Sequence, residues 1–290
     1  MNDLLQRREF LRLGSAGLAA LALGADAPAK KRPIEKAIMY ATIGVKGSVL
    51  EKFTAVKAAG FTGVEAMSHM NQDEVVKAYA ETGLKPASVC CNTHWQKPLS
   101  HPDPKARQEG LEGLLHALKD AKRYGATSVL LVPGVVNKDV TYDQCFERSV
   151  IEIKKALPLA QETGVKIAIE NVWNNFITEP KQAKDYLDAI NSPLVGWHFD
   201  IGNTIRYSAP ETWIPVLGKR IVKLHIKEFS KVKGFGVKLF EGDNNWPAIM
   251  KALEEAGYDG WGIVEQPGDQ SKDAESMKDL AGRMDKAFAS

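Results

Sequence analysis

Lys166-Ile-Ala-Ile-Glu170 is a short apolar run that stops on a carboxylate. Three later runs repeat the arrangement: Val195-Gly-Trp-His-Phe-Asp200, Ile221-Val-Lys-Leu-His225 and Trp261-Gly-Ile-Val-Glu265. Each reads as a strand, and each ends on a residue that can bind a metal. Two carboxylates, an imidazole and a third carboxylate converge only if the four strands are parallel neighbours. A closed barrel of alternating strands and helices makes them so, with functional residues at the strand carboxyl ends. Three oxygen donors and one nitrogen suit Mn²⁺, Mg²⁺ or Co²⁺, with Zn²⁺ as a further option. The alternative is a ring of salt links that holds no metal.

Working back toward the N-terminus, the same alternation holds. Residues 37–42, 63–67, 86–92 and 128–132 read as strands. Helical spacing of apolar residues covers 48–59, 73–82, 103–124 and 142–163, and Gly60, Gly83, Gly125 and Gly164 stand at the stops. Further helices are expected near 181–190, 210–217, 246–256 and 272–288. The order predicts eight strands and eight helices, a single α/β domain with the (β/α)8 TIM-barrel architecture over residues 35–290. The strands are apolar runs rather than alternating ones, as expected for a sheet covered on both faces.

The chain has 290 residues and a formal charge of +2. That length suits one barrel, and so small a charge gives no electrostatic footprint for nucleic acid. Cys90, Cys91 and Cys145 show no metal-ribbon or redox spacing, and the adjacent Cys90 and Cys91, in an apolar run, read as buried thiols. Residues 1–27 read as an export signal. Gln6-Arg7-Arg8-Glu9-Phe10-Leu11-Arg12 resembles a twin-arginine motif, an apolar run over 13–23 follows, and Ala25-Asp26-Ala27 supplies a cleavage pattern. Residues 28–34 then form a linker, and the expected location is the periplasm or beyond. No membrane span is expected after cleavage.

Five motifs carry a resemblance: Gly60-Phe-Thr-Gly-Val-Glu65, Ile169-Glu170-Asn171, Phe199-Asp200-Ile-Gly-Asn203, Leu224-His225-Ile-Lys227-Glu228 and Val264-Glu265. In this order they resemble the xylose-isomerase-like TIM barrels, the sugar phosphate isomerase/epimerase and apurinic-endonuclease-2 superfamily, over residues 35–288. The resemblance implies one divalent metal held by Glu170, Asp200, His225 and Glu265. In the ketose 3-epimerase branch the two glutamates also serve as acid and base on opposite faces of a sugar. Three positions depart from the branch patterns. Asn203 stands where both the epimerase and DNA-repair branches have histidine. Lys231 replaces an arginine of the epimerase branch. Phe240-Glu-Gly-Asp-Asn-Asn-Trp246 lacks the Asp-x-His pair of the DNA-repair branch.

Further candidates surround the four ligands. His94 and Trp95 follow the third strand and suit a sugar's hydroxyls and ring face; loop packing is the bland alternative. Lys227 lies two residues past His225, on the same side of the strand, and could polarise a carbonyl, or else pair with Glu228. Glu65, Asn171, Trp173 and Asn203 are candidate substrate contacts. His198 sits one layer below Asp200 and is either a site residue or core. His69 is a weaker candidate, while His101 and His116 read as surface.

The expected activity is metal-dependent sugar isomerisation or epimerisation, by proton abstraction next to a carbonyl through a cis-enediolate. An exported 3-ketoglycoside lyase or hydratase would use the same metal and base. A non-catalytic sugar-binding accessory protein is the reading from another class. The expected partner is a small carbohydrate, not nucleic acid, and a second subunit could complete the aromatic loops.

Overall fold

Eight parallel strands, paired in sequence order, close on themselves when β1 meets β8. The computed structural model describes residues 34–290. The export stretch 1–27 and nearly all of the linker 28–34 lie outside the described residues. Among the described residues, no helix is long and apolar enough to cross a membrane.

The first half runs β1 (Glu35–Met39), α1 (Val49–Ala58), β2 (Gly63–Met67), α2 (Gln72–Thr82), β3 (Lys85–Cys90), α3 (Pro104–Tyr124), β4 (Ser128–Leu131) and α4 (Tyr142–Thr163). The second half runs β5 (Lys166–Glu170), α5 (Pro180–Ile190), β6 (Val195–Asp200), α6 (Ile201–Thr204), α7 (Ile214–Leu217), β7 (Ile221–Ile226), α8 (Trp246–Glu255), β8 (Trp261–Val264) and α9 (Ala274–Phe288).

Local chemistry sets these boundaries. Ser48 and Thr141 open α1 and α4 with reciprocal capping boxes to Glu51 and Gln144. Gly125 and Gly164 close α3 and α4 at φ 84° and 70°, a left-handed turn that glycine adopts without a Cβ clash. Two expectations need correction. The helix expected at 210–217 is a 3-10 turn, Pro210–Thr212, followed by the four-residue α7, with Trp213 buried between them. The first strand ends at Met39, because Tyr40–Thr42 turns into a 3-10 helix.

Two apolar layers hold the barrel. The larger lies between strands and helices, where Phe53, Leu114, Leu118, Tyr186, Trp197 and Trp213 are fully buried. Each such side chain contributes roughly 1.5–3 kcal/mol on leaving water. The smaller gathers Ala37, Met39, Ala87, Cys90, Leu130 and Ile263 from β1, β3, β4 and β8. Pairing slips by a residue at two places, between Val64 and Glu65 against β3 and between Trp197 and His198 against β7. Such bulges re-aim side chains, and both fall at ionisable residues beneath the site.

Candidate metal centre and pocket

The four strand-end residues meet. Ligand atoms of Glu170, Asp200, His225 and Glu265 all lie within 4.8 Å of one another. His225 Nδ1 is the focus: it stands 2.8 Å from Glu170 Oε1, 3.4 Å from Glu265 Oε2 and 3.9 Å from Asp200 Oδ2. The parallel barrel brings them together because β5 through β8 are consecutive neighbours. Glu265 follows the last residue of β8 and stays in line by donating its N–H to Ile226 O at 3.1 Å.

Two buried carboxylates and the partly buried Glu265 this close repel one another unless a cation or protons intervene. Burial pushes Asp200 up to about 7, and Glu265 and Glu170 add to the rise against the pull of Lys227. Burial likewise raises Glu170. It works against charge on Glu265 too, but Lys227 and His225 outweigh it and hold that carboxyl well below the ordinary range. His225 is also opposed by burial, yet Glu65 and Glu170 hold its pKa well above the usual value.

The donor set fits a divalent cation. Asp200 Oδ1 accepts from Asn203 N at 2.7 Å, while the fully buried Oδ2 has no hydrogen-bond donor among the described residues. An orphaned anionic oxygen facing two more carboxylates and an imidazole is what a hard or borderline divalent ion requires.

Beneath the four ligands lies a support layer. Glu65 is fully buried, and its Oε2 accepts from His225 Nε2 at 2.9 Å. That bond holds a proton on Nε2, so Nδ1, which meets Glu170 Oε1 at 2.8 Å, would offer its lone pair to a metal that displaces the proton there. His198 is fully buried beside His225, with ring centroids 4.2 Å apart, and neither of its nitrogens has a hydrogen-bond partner among the described residues. Asn171 Oδ1 accepts from Trp197 Nε1 and Asp200 N, both at 3.0 Å, and its Nδ2 donates to Asp200 O at 2.7 Å. Glu65, Asn171 and His198 therefore sit below or behind the ligands and do not line the pocket.

Above them opens a pocket of about 240 Å³. Its polar floor is His94, Glu170, Asn203, Lys227 and Glu265; its walls are Met39, Cys90, Trp95, Leu130, Val172, Trp173 and Phe235. Lys227 Nζ pairs with Glu265 Oε2 at 2.7 Å and lies 3.6 Å from Asp200 Oδ2. Burial alone would lower its pKa, but Asp200 and Glu265 raise it, so the ammonium is charged. The Glu228 alternative does not hold. That carboxylate is buried and accepts from Phe240 N, Asn244 N and Trp246 Nε1.

His94 Nδ1 accepts a hydrogen bond from Val132 N at 3.3 Å. A backbone N–H can only donate, so the ring proton sits on Nε2. Burial pushes the ring down to about 4, which keeps His94 neutral and a hydrogen-bond donor. Trp95 meets it edge to face at 5.5 Å and is half exposed. Trp173 Nε1 donates to Asn203 O at 2.9 Å, and Asn203 Nδ2 donates to Asn171 O at 3.0 Å. The loop carrying His94 and Trp95 rests on α3 at Gly113, where a Cβ would collide with Thr93 Oγ1.

Phe235 was not a sequence candidate. It reaches the pocket from the long connection after β7, and Lys227 Nζ lies 4.7 Å from its ring centroid. No local pattern marks it, because its neighbours Gly234 and Gly236 read only as a turn.

Fold and centre together define a (β/α)8 barrel with a carboxylate–imidazole site at its carboxyl face. The chain belongs to the xylose isomerase-like TIM barrel family, whose model matches residues 53–287. It is 26% identical over 235 residues to L-ribulose-5-phosphate 3-epimerase UlaE of Salmonella heidelberg, covering 74% of this chain and 81% of that one. The Escherichia coli K12 enzyme of the same name is 24% identical over 238 residues, covering 77% and 84%. Among solved structures, D-psicose 3-epimerase with D-tagatose from Clostridium cellulolyticum superposes with a TM-score of 0.75 at 16% identity, over 88% of this chain and 99% of that one. The apo 3-keto-D-glucoside 4-epimerase YcjR of E. coli gives 0.73 at 16% identity, over 86% and 100%. The IOLI protein with a bound zinc atom gives 0.76 at 18%, over 88% and 98%.

Proposed function

We propose that this chain is a divalent-metal-dependent sugar epimerase or isomerase that moves a proton on the carbon next to a carbonyl. One observation carries the reading: Glu170 and Glu265 approach His225 Nδ1 from different strands, at the floor of a pocket walled by Trp95, Trp173 and Phe235. The curated relatives being epimerases supports it. Glu170, Asp200, His225 and Glu265 would hold the ion, which when bound polarises the substrate carbonyl.

The chain's own groups do the rest. One of the two glutamates takes the proton and the other returns it. Lys227, charged and aimed into the pocket, donates a hydrogen bond to oxygen as negative charge develops there. His94 donates through Nε2 to a hydroxyl, and the indole faces offer apolar cover for a ring.

The substrate we propose is a sugar without phosphate. Lys227 is the single cation among the described lining residues, and Glu265 already pairs with it. A second reading, a 3-ketoglycoside lyase with the same base, is favoured by the half-exposed Trp95 at the rim, which leaves an indole face for a second ring. Export rests on the sequence of residues 1–27 alone.

The test is deuterium exchange. The Mn²⁺-loaded protein is incubated in D₂O with free ketoses, aldoses and 3-ketoglycosides, and each is read by NMR. Deuterium next to the carbonyl, lost in Glu170→Gln, is the expected result. An inverted centre marks an epimerase, and a released aglycone marks a lyase. Full metal occupancy without exchange on any sugar would remove the catalytic reading in favour of a binding protein.

A further inference from the structure

A second cluster of donors lies apart from the pocket, where the loop after β2 meets α3. We propose that His69, His116 and Asp120 form a cation site for a borderline divalent ion of the Zn²⁺ class. Their ligand atoms all lie within 4.8 Å of one another, and none of the three lines the pocket.

His116 and Asp120 are four residues apart on α3, so they share one face, and His116 Nε2 lies 3.3 Å from Asp120 Oδ2. His69 arrives from the other element. Its ring stacks on His116 with centroids 4.0 Å apart and planes 17° apart. Both imidazoles are exposed, whereas Asp120 is fully buried beneath them. The carboxylate is fixed from behind: Gln72 Nε2 donates to Oδ1, and His69 N donates to Oδ2 at 2.8 Å. Support of that kind is typical behind a metal-ligating carboxylate.

The backbone adds an independent observation. His69 holds φ at 64°, a left-handed conformation that costs a side-chain-bearing residue stability. A glycine would remove that cost but would supply no ligand. Ser68 Oγ lies 2.8 Å from His69 Nδ1 and itself accepts from Asn92 N at 2.9 Å. It can accept a second hydrogen bond from Nδ1–H, the tautomer that leaves the Nε2 lone pair for an ion. Burial and the neighbouring His116 also push His69 down, which favours the neutral ring that ligates.

The stacked rings must swivel to aim both nitrogens at one ion, and the exposure of His116 permits it. Two nitrogens and one oxygen, with the remaining positions open to water, select Zn²⁺, Co²⁺, Ni²⁺ or Cu²⁺ over Mg²⁺ and Mn²⁺. The three-carboxylate centre, richer in oxygen, also accommodates Mn²⁺ and Mg²⁺. An ion here ties the loop after β2 to α3, the helix on which the Thr93–Trp95 segment rests.

The test counts zinc. The metal-stripped full chain, His116→Ala and His69→Gly are dialysed against micromolar Zn²⁺, and bound ions per chain are measured. We expect each variant to hold one ion fewer than the unsubstituted chain. His69→Gly relieves the left-handed strain, so its metal-free melting temperature should be no lower, and a lost ion cannot be put down to misfolding. Because the readout is a difference, it stands whatever the barrel-top centre binds. Equal zinc counts in all three proteins would overturn the site.

Discussion

Glu65 and His225, 160 positions apart in the chain, share one buried hydrogen bond from Nε2 to Oε2 at 2.9 Å. The acceptor sits on β2 and the donor on β7, so the bond fixes the imidazole from a strand that supplies no ligand. Glu65→Gln keeps the shape but removes the charge. Mn²⁺ affinity should fall about 10–100-fold while the fold is kept. Titration calorimetry beside a circular dichroism spectrum checks this, and an unchanged affinity would remove Glu65 from the centre.

Metal binding should weaken as pH falls through neutrality. Asp200 is pushed up to about 7 by burial, and Glu170 is raised as well. Below that range protons occupy the oxygens that a cation needs, and binding must expel them. Affinity for Mn²⁺ should therefore drop between pH 8 and 6, by up to about tenfold per pH step for each proton expelled. Calorimetry in buffers of different ionisation heat counts the protons; a flat profile would contradict the assignment.

Lys227→Met removes the one ammonium aimed into the pocket and none of the four ligands. We expect kcat to fall by about 10²–10³-fold, the loss typical for one preorganised donor, with bound Mn²⁺ per chain unchanged. Metal content and turnover measured on the same sample separate a catalytic from a structural effect.

Gly113→Ala should perturb the pocket from behind. An added methyl meets Thr93 Oγ1 and must push back the segment that carries His94 and Trp95. Alanine is the better helix former by about 1 kcal/mol, so the expected outcome is little loss of stability together with a several-fold rise in KM. A substitution that leaves KM unchanged would show that the loop is not held there.

Alkaline pH should destabilise the chain in part through Cys145. Burial pushes its thiol up to about 11 from an ordinary 9.0. Between those values the unfolded chain gives up the proton and the folded one keeps it, so stability falls as pH rises. The difference corresponds to roughly 3 kcal/mol at most. Cys145→Ala should lose less stability across that window in urea melts at stepped pH.

Much of the barrel was legible because its signals are local. Apolar runs end on Glu170, Asp200, His225 and Glu265, and glycines follow the helices. Lys227 could be placed on the His225 side by strand periodicity alone. What stayed hidden depends on distance in the chain. Glu65 looked like a hydroxyl ligand at a strand end, yet a bulge at Val64 and Glu65 places it beneath the centre. Asn171 resembled a loop amide, but the chain folds its side chain back onto Trp197 and Asp200. His69 and His116 carried no pattern, since only the packing of the loop after β2 on α3 makes them neighbours. The 210–217 segment had helical composition, yet burying Trp213 and turning at Gly218, with φ 52°, shortened it to a few residues.

The four donors of the centre come from β5 through β8, whereas Met39, Cys90, Trp95 and Leu130 of the pocket wall come from β1, β3 and β4 or the loops that follow them. Reactivity is thus written on one arc of the ring, while Val172, Trp173 and Phe235 extend the wall so that fit is shared by both arcs. A library confined to the arc of β1, β3 and β4 can reshape the cavity for another sugar while every donor stays in place.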